Sequence, residues 1–120
     1  MHNFRELQVW QKAIDLVKDV YNVSAQFPLD ERYGLTSQVR RSAVSIPSNI
    51  AEGCSRKSPK DLSCFLRISQ GSAFELETQL IIANRLELID DEVLNIVSSQ
   101  IVEIQKMLYG FEKKLWMETN

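Results

Sequence analysis

Few side chains in this sequence are equipped for chemistry. The only histidine is His2, close to the N-terminus where chains fray, so no internal imidazole can act as a general base. No Ser/His/Asp set can be assembled around it. Asp90, Asp91 and Glu92 are adjacent carboxylates that could attract a cation, but capping of a helix start accounts for all three. Glu75 and Glu77 are two residues apart and do not share a helix face. The Glu-x-x-His pairs of di-iron bundles and the glycine-rich loops that cradle phosphates are both missing. Cys54 and Cys64 lack CxxC spacing and read as two reduced, partly buried thiols. The expectation is a protein that is not an enzyme and needs no cofactor or metal.

What remains is positive charge. In "SRKSPKD", residues 55–61, Arg56, Lys57 and Lys60 gather around the free N–H groups that open a helix. Helix N-termini attract anions, and flanking cations strengthen the attraction, so a nucleic-acid phosphate suits this place. Residues 40–67 carry six basic and two acidic side chains, a net of +4, whereas the rest carries 8 and 14, a net of −6. The whole chain is −2, with a pI near 5.4, which taken alone argues against nucleic acid. The candidate nucleic-acid-binding residues are Arg40, Arg41, Arg56, Lys57, Lys60 and Arg67. The plainer reading is a solvated basic loop, with Arg40 and Arg41 paired to Glu52 or to other acidic residues. No aromatic-rich stacking platform accompanies these charges, so base-specific recognition is not expected.

Four amphipathic segments must position these residues. In the first, from about Phe4 to Gln26, two stripes run side by side. One is Leu7, Trp10, Ile14, Val17 and Tyr21; the other is Val9, Ala13, Leu16, Val20, Val23 and Phe27. Pro28 and Gly34 then break the pattern. The second segment runs from about Leu35 to Glu52 on a stripe of Leu35, Val39, Ala43, Ile46 and Ile50, with Gly53 as its stop. The third opens with Ser58 as N-cap, Pro59 in the first turn and Asp61 at N3. It continues through Leu62, Leu66, Ser69, Ala73, Leu76, Leu80 and Ala83, with Phe74, Ile81 and Leu88 as a second line. The fourth is capped by Asp90, with Ile89 stapling onto Leu94. Its seam is Leu94, Val97, Ile101, Ile104, Leu108, Phe111 and Leu115, with a side stripe of Val102, Tyr109 and Trp116.

Residues 1–120 therefore read as one all-α domain, an antiparallel up-down-up-down four-helix bundle. A monomer would leave the second stripes exposed, which points to a homo-oligomer, either a dimer or a closed ring. No apolar run approaches the length of a membrane span and no secretory leader is present, so a cytoplasmic protein is expected. Pro47 is anomalous in the second segment: it removes the bond to the Ala43 carbonyl at a cost of about 3 kcal/mol, so the helix should kink or break there. A polar line, Gln38, Ser42, Ser45, Asn49 and Glu52, lies beside the stripe. It predicts close packing against the third helix near Gly71, and a ligand or subunit contact is the alternative.

The stretch "SIPSNIAEG", residues 45–53, resembles the signature of the bacterial four-helix-bundle family encoded in intervening sequences of 23S ribosomal RNA genes. "FRELQVWQKAIDLV", "FPLDERYGLTSQVRRS" and "GSAFELETQL" resemble that family's first helix, first connection and third helix. The resemblance implies a four-helix bundle assembled as a ring-shaped pentamer. A related branch, the accessory variability proteins of diversity-generating retroelements, binds RNA and a reverse transcriptase through a basic ring. Arg40 and Arg41 match the arginine pair before the signature, and Arg56 matches a basic position after it. This chain departs from that branch in being acidic overall, and from the family's pattern in having Ser42 where many relatives have Ala and Cys54 where an aromatic is common. The partners implied are further copies of the chain, RNA or another protein, with no membrane. The functional expectation is an RNA-backbone-binding oligomer; the alternative is an oligomeric scaffold without nucleic acid.

Overall fold

A computed structural model describes residues 2–119. It contains four α-helices: α1 (Gln8–Ser24), α2 (Leu35–Cys54), α3 (Pro59–Arg85) and α4 (Asp91–Thr119). Short 3-10 turns at Phe4–Glu6 and Leu29–Glu31 precede α1 and α2, and no strand occurs among the described residues. The molecule is elongated, 48 × 23 × 20 Å.

Each apolar stripe settles at a definite depth. The line of Val9, Ala13, Leu16 and Val20 in α1, continued by Phe27 beyond its end, is the buried one, with Val23 partly buried. The parallel line forms the flank: Trp10 and Val17 pack on the core, while Ile14 and Tyr21 are exposed. The α2 stripe and the four-three line of α3 from Leu62 to Ala83 are buried throughout. Burying a large aliphatic side chain contributes about 1.5–3 kcal/mol, so these seams hold the helices together.

The helix ends follow local chemistry. At the start of α3 the Ser58 hydroxyl accepts the Asp61 N–H at 3.1 Å, and at the start of α4 the Asp90 carboxylate accepts the Val93 N–H at 2.8 Å. Between them α3 closes with two reversed bonds, Leu88 N–H to the Ala83 carbonyl at 2.8 Å and Glu87 N–H to that of Asn84 at 2.9 Å. This closure puts Glu87 at φ 63°, a left-handed position usually held by glycine. At the N-terminus the first segment is interrupted: Leu7 is extended, and the turn before it folds Phe4 edge-on against Trp10 with ring centroids 5.2 Å apart.

Three local readings change: the break allowed at Pro47, the stop at Gly53 and the close approach at Gly71. Helix α2 is not broken at Pro47. The neighbouring Ile46 and Ile50 are fully buried, and the Ser69 hydroxyl of α3 donates to the Ile46 carbonyl at 3.0 Å. Burial on both sides outweighs the proline penalty. Gly53 is not the stop, because α2 continues to Cys54. A Cβ on Gly53 would lie 2.8 Å from Leu62 Cδ1 and 2.9 Å from Phe65 Cβ, so α2 and α3 approach closely at this glycine. Gly71, expected at the close approach, is exposed, and a Cβ there would meet nothing within 4 Å.

Candidate nucleic-acid interface

The polar line of α2 is used for packing. Ser42 Oγ donates to Glu75 Oε1 at 2.7 Å, and the Ser45 and Ser72 hydroxyls share a bond at 2.8 Å. Asn49 Nδ2 turns back onto the carbonyl and hydroxyl of Ser45. Small hydroxyl side chains let α2 and α3 come close while satisfying each other. Glu52 instead pairs with Arg56 one turn on, at 2.7 Å.

The six candidate cations divide into two groups. Arg40 reaches across to the end of α1, where its Nε donates to Ser24 Oγ at 2.8 Å and its guanidinium lies 4.5 Å from the Tyr21 ring centroid. A second nitrogen reaches the Tyr21 carbonyl at 3.4 Å. A cation at the C-terminal end of a helix matches its dipole, so Arg40 ties α1 to α2. Arg41 is exposed beside it, touching Ser37 of its own helix. Arg56, Lys57, Lys60 and Arg67 lie together elsewhere, along the turn between α2 and α3 and the first turns of α3, and all four are exposed. The Arg56 guanidinium also covers the Phe65 ring at 4.7 Å. Arg67 Nε is bonded to Glu112 Oε1 at 2.5 Å, and Ser63 Oγ donates to the same oxygen at 3.1 Å. The bond to Glu112 raises the Arg67 pKa further above its ordinary value.

These bonds bring the end of α4 beside the start of α3, and with it Lys113 and Lys114, which the linear sequence keeps apart from the basic segment. His2 meets Phe111 at 5.4 Å, so the chain start is at the same end. Divided across the middle at the Lys12–Glu103 pair, the molecule is polarised. Residues 2–12, 45–72 and 103–118 carry nine basic and six acidic side chains, a net of +3. Residues 13–44 and 73–102 carry five and ten, a net of −5. Arg40 and Arg41 belong to the acidic half. The linear +4 segment is thus split by folding, and its C-terminal part is joined by lysines that sequence distance concealed.

Other sites are sparse. Cys54 is buried, and loss of hydration raises its thiol pKa. Cys64 is exposed rather than partly buried. Among the described residues no group of His, Cys, Asp and Glu is arranged to hold a metal, and no helix is long and apolar enough to cross a membrane. A further feature is apolar: Phe74, Ile81, Tyr109 and Trp116 are exposed on α3 and α4. The side-chain nitrogens of Gln70 and Gln105 lie in a groove with Phe74 and Tyr109, out of contact with solvent and without a hydrogen-bond partner among the described residues.

An all-α chain of four packed helices with one basic end is a four-helix-bundle protein of the kind the signature stretch suggested. The family model for the 23S rRNA-intervening sequence protein matches residues 5–110, and the chain belongs to that family. It is also similar to a crystal structure of a protein of unknown function from the S23 ribosomal protein family of Bacteroides thetaiotaomicron, with 28% identity and a TM-score of 0.80. The match covers 88% of this chain and 98% of that one. Among curated proteins no significant match is found.

Proposed function

We propose that this protein is a non-enzymatic, cytoplasmic RNA-binding oligomer: an antiparallel up-down-up-down bundle that closes with copies of itself into a ring, five subunits being the number the resemblance implies. RNA backbone lies along the basic end of each subunit. The observation that carries this reading is the charge polarity of the fold. A chain of net −2 has a +3 half in which Arg56, Lys57, Lys60, Arg67, Lys113 and Lys114 share one end. A ring repeats that end around its axis, so a few weak phosphate contacts per subunit accumulate into useful affinity. Exposed Phe74 and Tyr109, with the unpartnered Gln70 and Gln105 amides in the same groove, support self-association, because a second copy would cover that apolar surface and supply acceptors.

The test is reversal of Arg56, Lys57 and Lys60 to Glu, with the mass in solution followed beside binding to a structured RNA. Lost binding with the assembly intact supports the proposal. Unchanged binding rejects this end as the interface. A second reading, an oligomeric scaffold for another protein, draws on the same apolar stripe and is favoured if the wild-type oligomer ignores RNA.

A further inference from the structure

In the linear sequence Phe65 is the one aromatic within the basic segment, and the fold brings Trp116 of α4 beside that segment. Where the start of α3 meets the end of α4, a groove of about 280 Å³ is lined by Pro59, Lys60, Cys64, Arg67, Leu115 and Trp116. Its walls are mostly apolar, Trp116 is 53% exposed, and two cations border it. The neighbouring Glu112 carboxylate is matched by Arg67 and Ser63, so its charge does not oppose an anion there.

We infer that this groove receives one unpaired base of a single-stranded nucleic acid, stacked on the Trp116 indole, with the adjoining phosphates on Lys60 and Lys57. The inference rests on the RNA-binding reading above and deepens it, turning a backbone contact into a single-strand preference. A nucleotide combines a flat, apolar-faced ring with an anion a few bonds away, and the groove presents the complement: an aromatic and aliphatic floor with cations at the rim. Its volume falls just below the usual range for drug-sized ligands, which suits one planar heterocycle. Stacking on an aromatic ring is sequence-tolerant because every base has a π-face. A duplex keeps those faces hidden, so only unpaired nucleotides gain the contact. The Arg67 guanidinium, held through Nε by Glu112, provides a second planar group of the kind that bases stack on.

The experiment measures binding of a mixed-sequence single-stranded RNA and of its fully paired duplex at about 50 mM salt, where phosphate contacts are strong. Trp116→Ala should weaken single-strand binding roughly tenfold, within the range of a lost base stack, and leave duplex binding within about twofold. Trp116→Phe should keep most of the single-strand affinity. In a Trp10→Phe background the remaining indole is Trp116, and its fluorescence should change on adding single strand and not duplex. Wild-type single-strand affinity in Trp116→Ala, with binding still abolished by the Arg56/Lys57/Lys60 reversal, overturns the base pocket and leaves the RNA reading standing. Equal loss for single strand and duplex with an altered mass in solution assigns Trp116 to a subunit contact and also overturns it. No RNA binding by the wild-type protein removes both.

Discussion

Replacing Gly53 with Ala tests how closely α2 and α3 are packed. The added methyl would come within 2.8 Å of Leu62 Cδ1, a flexible side-chain end, and 2.9 Å of Phe65 Cβ, which is fixed to the α3 backbone. The first contact is relieved by a small rotation; the second requires a helix to move. Overpacking of this kind costs about 1–3 kcal/mol. Against it stands the helix-forming gain of Ala over Gly, up to about 1 kcal/mol. Gly71→Ala isolates that gain, since a methyl there meets nothing within 4 Å. The propensity terms nearly cancel between the two variants, so their difference reads the steric term: Gly53→Ala should be about 1–3 kcal/mol less stable than Gly71→Ala. Urea unfolding at one protein concentration, with an unchanged slope, measures this directly. Equal midpoints for the two variants would show that α2 and α3 do not approach closely at Gly53.

Three further outcomes are expected. Glu87→Gly should raise stability by about 1 kcal/mol in thermal unfolding, because it relieves a left-handed residue costing about 1–2 kcal/mol at a modest entropic penalty. Arg40→Ala should lower stability by about 1–2 kcal/mol through its lost bonds to Ser24 and Tyr21, with RNA binding unchanged, as a binding assay on the folded variant will show. Iodoacetamide near pH 8 should alkylate Cys64 readily and Cys54 only on unfolding, read by mass spectrometry. Because burial raises the Cys54 pKa, the folded state favours the neutral thiol. The stability it contributes is complete below the ordinary thiol pKa and declines as pH rises through and above it.

The four helices were legible because period and caps agree. The seam of α3 is buried as its spacing predicted, and Ser58 and Asp90 cap as their types required. Choosing between the two stripes of α1 was not possible from periodicity, since both have helical spacing and only the partner helices decide which faces inward. Pro47 left open a break that α2 does not show, because intrinsic propensity is local, while the burial of Ile46 and Ile50 supplies tertiary compensation. The close approach falls at Gly53 rather than Gly71 for a related reason: it depends on the register of α2 against α3. The candidate site was half legible. Arg56, Lys57 and Lys60 are neighbours in sequence, but Trp116, Lys113 and Lys114 join them only through the packing of α4 on α3. The commitment of Arg40 to Ser24 and Tyr21 likewise required a contact across 16 and 19 residues.

The central claim is that the basic end binds RNA phosphates, and its most direct measurement is affinity for a structured RNA at about 50 and about 200 mM salt. Three engaged cations per subunit give a log–log slope of about −2.1 to −2.7, so affinity should fall roughly 20- to 40-fold per engaged subunit over that range. The Arg56/Lys57/Lys60 reversal should remove binding at both concentrations. No binding at the lower salt, or binding that ignores salt, would contradict the account.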